Sequence, residues 1–338
     1  MISVIVPAFN AAATIDLCLD ALAHQTVSPD SHEVLVVDDG SGDDTRARVE
    51  ARPDVRLLSQ AHAGPAAARN LGVQHARGEI VLFTDADCAP APDWIEQMSA
   101  SLQAKPATGA APITGVKGAY WTRQRQLVAR FVQAEYEEKY RRMARQETID
   151  FVDTYSAGYR RDVFVATGGF ETSFPVDSVE DQEFSFRLAR RGYRMVFVPQ
   201  ARVYHLGHPT TLAAYWRRKF KIGYWKVAVV RRHPGKLWRD SHTPATLRVQ
   251  ILLVALLGLC LLGAILWPPL RWGGAVAALL FVATTLPFSY EAWRKDRAVA
   301  VATPLLFLAR ALALGMGFAA GLLWSAAVML PPSSRPRV

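Results

Sequence analysis

The chain has 338 residues, a net charge of +9, 51% hydrophobic and 20% charged residues, and a mean hydropathy of +0.08. The apolar share is high for a soluble enzyme and the charged share too high for a wholly membrane-embedded protein, so a polar domain joined to an apolar one is expected. The charge is local, with eleven basic residues against one acid, Asp240, between Arg202 and Arg248, which argues against a nucleic-acid partner.

The first hundred residues alternate β-branched runs with helical patterns. Strands are expected at Ser3 to Pro7, Glu33 to Val37, Val55 to Ser59 and Glu79 to Thr84, and helices at Ala13 to Gln25, Asp43 to Ala51 and Pro65 to His75. Such βαβ units imply a parallel sheet whose ligands bind beyond the carboxyl ends of the strands. Polar residues follow three of those ends: Phe9-Asn10, Asp38-Asp39-Gly40-Ser41 and Asp85-Ala86-Asp87. One cleft should gather them. Further on, Arg123 to Gln146 reads as a helix, Phe151-Val152-Asp153 and Tyr193 to Pro199 as strands, and Val179 to Arg191 as a helix with arginines near its C-terminal end.

Residues 209–248 are basic and aromatic, the composition of interfacial helices on an anionic membrane surface. Three apolar stretches then suit membrane spans at about 249–267, 273–290 and 305–330, the third carrying Arg310. The expected domains are therefore 1–208, 209–248 and 249–330. Basic flanks at Arg231 to Arg248 and at Arg294-Lys295-Asp296-Arg297 place those ends, and the first domain, in the cytosol. The chain opens directly on Ile2-Ser3-Val4-Ile5-Val6 without a basic n-region or cleavage site, so no signal peptide is expected. Three separated cysteines, Cys18, Cys88 and Cys260, lack any C-x-x-C pairing and fit a reducing compartment.

Two carboxylates in a D-x-D at a strand end suit a hard divalent cation that also holds a diphosphate, since Mn²⁺ and Mg²⁺ take one or two protein oxygens and complete their shell with phosphate and water. Pro7-Ala8-Phe9-Asn10, Val37-Asp38-Asp39-Gly40-Ser41, Gly64-Pro65-Ala66-Ala67-Ala68-Arg69-Asn70-Leu71-Gly72 and Asp85-Ala86-Asp87 together resemble the family 2 glycosyltransferases. Gly168-Gly169-Phe170 and Glu180-Asp181 resemble that family's acceptor-side motifs, and the likeness covers about residues 1–225.

The resemblance implies an inverting enzyme with a GT-A fold: an α/β, Rossmann-like, mainly parallel sheet, followed here by helices that span a membrane. It places Pro7, Phe9, Asn10, Asp39, Arg69, Asp85, Glu180, Arg217 and Arg218 at the nucleotide sugar, a UDP-sugar by expectation. It places Asp87, with Asp85 and His205, at the Mn²⁺ or Mg²⁺ ion, and makes Asp181 the base that takes a proton from the acceptor hydroxyl. Such a base helps because a sugar hydroxyl is a poor nucleophile at neutral pH. A membrane anchor points to a lipid-linked sugar, polyprenyl phosphate or glycolipid as acceptor. Competing readings are a polyprenyl-phosphate sugar synthase, whose anionic acceptor needs no base, and a non-catalytic membrane scaffold. The chain lacks the Gln-x-x-Arg-Trp pattern of processive synthases.

Overall fold

The computed structural model describes residues 1–105, 109, 111–173, 179–237 and 243–328. It divides into two compact units. The first takes in Met1–Arg125 and Val132–His208, and the second takes in Gln126–Phe131 and nearly all of the chain from Pro209 onward.

The first unit is built on Ile2–Ala8 (β1), Ile15–Ala23 (α1), His32–Asp38 (β2), Thr45–Glu50 (α2), Val55–Ser59 (β3), Pro65–His75 (α3), Ile80–Phe83 (β4), Cys88–Pro90 (β5), Trp94–Gln103 (α4), Ile113–Trp121 (β6), the part of Leu127–Met143 (α5) from Val132 on, Ala157–Arg160 (β7), Arg161–Ala166 (α6), Glu180–Arg190 (α7) and Arg194–His205 (β8). The eight strands form one sheet in the order β3-β2-β1-β4-β7-β6-β8-β5. Its first four strands are parallel, whereas β7 runs antiparallel to both β4 and β6, and β5 antiparallel to β8. The strands β1, β2 and β4 are almost wholly buried because apolar layers cover both faces. Val4, Leu82, Trp94 and Met98 belong to one layer, and Ile5, Phe83, Phe164 and Phe184 to the other.

Strand order is what assembles the cleft. Both β2 and β4 flank β1, so the polar residues after those three strands emerge side by side at one edge. Two local devices support that edge. Gly64 sits at φ 90 and feeds Pro65 into the first turn of α3, where a missing N–H costs nothing. The first turn of α7 carries Glu180, Asp181 and Glu183 and its last turn Arg187 and Arg190, matching the helix dipole at both ends.

The expected strand at Phe151-Val152-Asp153 does not form. The main chain of Val152 exchanges hydrogen bonds with the Ser185 hydroxyl (3.0 and 3.4 Å) instead of with a strand, and the neighbouring segment meets the sheet's main chain at one isolated bridge, Ile149 to Met195. Conversely, β5, β6 and β7 were not anticipated.

The second unit contains Leu212–Arg232 (α8), Ala245–Gly263 (α9), Leu270–Trp293 (α10) and Arg297–Val328 (α11). The last three are long and apolar enough to cross a membrane, over Ala245–Gly263, Leu270–Trp293 and Arg297–Trp324. Met329 and Leu330, the end of the third expected span, lie outside the described residues.

Candidate active site

The β1 and β2 ends form a polar floor. Pro7 and Ala8 close β1 in register with Val37 and Asp38. Phe9 is 47% exposed and stacks on His62, ring centroids 4.1 Å apart at 27°. Asn10 takes a left-handed φ of 50, and its side-chain oxygen accepts the Gly42 N–H at 2.9 Å while its own N–H donates to the Ser41 hydroxyl at 3.0 Å. Asp39 is buried. One of its oxygens accepts from Gln60 Nε2 (2.6 Å) and Ala63 N (2.8 Å), the other from Gly64 N (2.8 Å), and His62 Nδ1 lies at 2.9 Å. The loop after β3 thus joins the expected set through Gln60 and His62. Sequence reasoning passed over both, although they follow a strand end like the residues it singled out.

Arg69 is the buried centre of the site. Its guanidinium donates to Asp85 Oδ1 at 2.7 Å and to Glu180 Oε1 at 3.0 Å. Burial works against the charge, but the two carboxylates outweigh it and raise the arginine above its ordinary range. An α3 side chain therefore fastens the D-x-D segment to the first turn of α7.

The two D-x-D carboxylates part company. Asp87 Oδ2 lies 2.9 Å from His205 Nε2, and Asp87, Cys88 and His205 form the grouping among the described residues whose ligand atoms all lie within 4.8 Å of one another. Asp85 stands outside that grouping, its carboxylate turned to Arg69, so two of the three expected metal ligands converge and the third serves as counter-charge to a buried cation. Burial would raise the Asp87 carboxyl, yet the hydrogen bond and charge of His205 prevail and hold it below the ordinary value. For Cys88, burial followed by the charges of Asp87 and Asp85 pushes the thiol well up. His205 is in turn fixed from behind: its Nδ1 lies 3.0 Å from His208 Nδ1, and His208 stacks on Tyr136 and is held at both main-chain groups by Gln124. His208 has no motif to announce it.

Asp181 follows Glu180 at the start of α7 and is partly exposed. Desolvation, then the negative charge of Glu180, pushes its carboxyl up to about 7 against the pull of Arg69. Nearby, the buried Lys117 of β6 pairs with Asp153 and lies over the rings of Phe151 (5.2 Å) and Tyr155 (5.5 Å). Burial brings this ammonium down to about 7, and Asp181 opposes the shift. A carboxyl poised near neutrality at the rim of a buried cationic network can accept a proton under ordinary conditions. Arg217 and Arg218 stand exposed on α8, in the helical unit.

Residues 3–167 match the family model described as glycosyl transferase family 2. The chain carries a family 2 glycosyltransferase domain. Among curated proteins, this glycosyltransferase is 28% identical over 236 residues to glycosyltransferase AglE of Haloferax volcanii, covering 68% of this chain and 73% of that one. It is 29% identical over 212 residues to the pre-mycofactocin glycosyltransferase of Mycobacterium tuberculosis, covering 60% of this chain but only 43% of the relative. Its fold resembles that of the mannosyltransferase PcManGT from Pyrobaculum calidifontis, solved in complex with GDP-Man and Mn²⁺. The TM-score is 0.61 at 22% identity, over 95% of this chain and 86% of that one. The mixed sheet is thus of GT-A type.

Proposed function

We propose that this glycosyltransferase moves a sugar, with inversion, from a nucleoside diphosphate donor to a hydroxyl of a membrane-held acceptor such as a lipid-linked saccharide or glycolipid. The Arg69 clamp carries the reading: by tying Asp85 to Glu180 it sets the donor-side carboxylates and Asp181 into one rigid constellation. Phe9 and His62 offer aromatic faces for the base, and Asp39 offers acceptors for a ring N–H. Uracil and guanine both carry such a group, and uridine is the assignment taken from the family resemblance.

Asp87 and His205 fit Mn²⁺ or Mg²⁺. One hard oxygen and one imidazole nitrogen face each other at 2.9 Å, a donor pair that such an ion can share with diphosphate oxygens and water. When bound there, the ion would act as a Lewis acid that neutralises charge on the leaving diphosphate. The protein's own residues do the rest. Asp181 takes the acceptor hydroxyl proton as the oxygen attacks the anomeric carbon, Arg69 keeps Asp85 and Glu180 in place, and the apolar helices hold the domain at the cytosolic face of the cytoplasmic membrane. Residues 1–208 would form the transferase domain, 209–248 the surface belt and the remainder the anchor.

The test is a thermal-shift panel of UDP- and GDP-sugars with and without Mn²⁺, followed by acceptor assays. A ligand specific for the native state raises apparent stability by mass action, so stabilisation should require both metal and one nucleotide. Transfer to polyprenyl phosphate that survives Asp181→Asn would overturn the hydroxyl-acceptor reading in favour of a polyprenyl-phosphate sugar synthase.

A further inference from the structure

At the nucleotide end of the site the acceptor capacity of Asp39 is already filled. A carboxylate offers about four lone-pair directions. Donors occupy them all: Gln60 Nε2 (2.6 Å) and the Ala63 N–H (2.8 Å) at Oδ1, the Gly64 N–H (2.8 Å) and His62 Nδ1 (2.9 Å) at Oδ2. The Asp39 side chain is only 3% exposed. A base whose ring N–H is to reach it must therefore take the place of a donor that can leave.

The donors differ in how firmly they are held. Ala63 and Gly64 give main-chain N–H groups at the entry to α3, whose first turn holds Pro65. Gln60 is anchored by its own N–H, which donates to the Asp38 carbonyl at 2.9 Å and so continues the pairing of β3 with β2. His62 is different. Its main chain is packed, since a Cβ added to Gly40 would lie 3.0 Å from the His62 nitrogen, but its side chain is 58% exposed. The ring hangs from a fixed backbone, and exposed side chains change rotamer on the picosecond to nanosecond scale without disturbing the loop that carries them.

The position of that ring is the informative point. It stacks on Phe9, centroids 4.1 Å apart at 27°, and turns Nδ1 to the Asp39 carboxylate, with the Asp39 main-chain oxygen also at 3.2 Å. Both oxygens only accept, so Nδ1 is the nitrogen that carries the proton. A flat aromatic ring thus lies on Phe9 and donates a ring N–H to Asp39. Those are the two contacts proposed above for the nucleobase, made by one residue of the chain itself.

We propose that His62 is an internal stand-in for the nucleobase, and that an incoming base must push its imidazole off Phe9 and Asp39 before making the same two contacts. This rests on the donor-site reading above. The displacement weakens every nucleotide by one factor, because apparent affinity is reduced by the fraction of molecules in which the ring has swung away, and that fraction is a property of the protein. The experiment titrates UDP and GDP, each with Mn²⁺, into the full-length wild-type chain, His62→Ala, Phe9→Ala and the double variant, with binding read by calorimetry. His62→Ala should bind the preferred nucleotide roughly 3- to 30-fold more tightly than the wild type. The gain should shrink in the Phe9→Ala background, where the imidazole has lost its platform. The sign is diagnostic, since a His62 that walled the site would weaken binding when removed. Equal or weaker binding by His62→Ala, or a gain as large without Phe9, would overturn this inference alone. Failure of both the wild type and His62→Ala to bind either nucleotide would overturn the donor-site reading and this inference with it.

Discussion

Asp181, the proposed base, carries a folding cost of its own. Its folded pKa, about 7, stands above the ordinary carboxylate value, so the ionised form is disfavoured in the native state. That penalty is absent below about pH 4, grows between the ordinary carboxylate value and the native pKa of about 7, and is complete above it. Asp181→Asn should therefore abolish most transfer while stabilising the fold at pH 8 by on the order of 2 kcal/mol, with little change at pH 4. Equal effects on unfolding at both pH values would show that the carboxyl is not strained by its surroundings. His208 makes a second point, because its Nδ1 lies 3.0 Å from Nδ1 of His205, on the side of that ring away from Asp87. His208→Phe keeps a ring against Tyr136 but removes the nitrogen behind His205, and Mn²⁺ affinity, read from the free-ion electron paramagnetic resonance signal, should fall roughly 10- to 100-fold. At the nucleotide end, Phe9→Ala should weaken donor binding by about 1–3 kcal/mol if the base stacks there, and calorimetry with the preferred donor would show it.

Among the elements, the turn after α6 is sensitive to small changes. Gly169 sits at φ 66, and a Cβ added there would come within 2.7 Å of Asn70 Oδ1, the atom that accepts the Phe170 N–H. Gly169→Ala should lower the unfolding free energy by about 1–3 kcal/mol, visible as a drop in Tm, and an unchanged Tm would show the turn to be free to relax. The same stretch illustrates what could be read from residues alone. The elements from β1 to β4 were legible because β-branched runs alternated with helical spacing, and the acids at their ends were legible because ligands gather there. Strands β5, β6 and β7 were not: β5 has three residues, β7 has four, and β6 is interrupted by Gly115 and Gly118, whose value lies in close approach to Met195 and to the Ala201 carbonyl. Segment 151–153 looked like a strand by composition, yet its polar main chain found Ser185 first. The different partners of Asp85 and Asp87 were illegible for a related reason, since only the fold shows that Arg69 is buried beside Asp85. His62 and His208 gain their roles from partners across the chain, Asp39 and His205, that spacing does not reveal.

For the whole molecule, a soluble-type active site is joined to helices of membrane composition. Under the proposed membrane anchoring and lipid-borne acceptor, the apolar exposure of α9 and α10 has a kinetic meaning. An enzyme held in a bilayer meets a lipid-borne acceptor by lateral diffusion, so the concentration it senses is a number per unit area. In reconstituted vesicles, adding inert lipid at constant total acceptor should slow transfer in proportion to the fall in acceptor mole fraction, whereas changing the assay volume should not. The water-soluble donor would keep its dependence on molarity, leaving a catalyst that counts one substrate in three dimensions and the other in two.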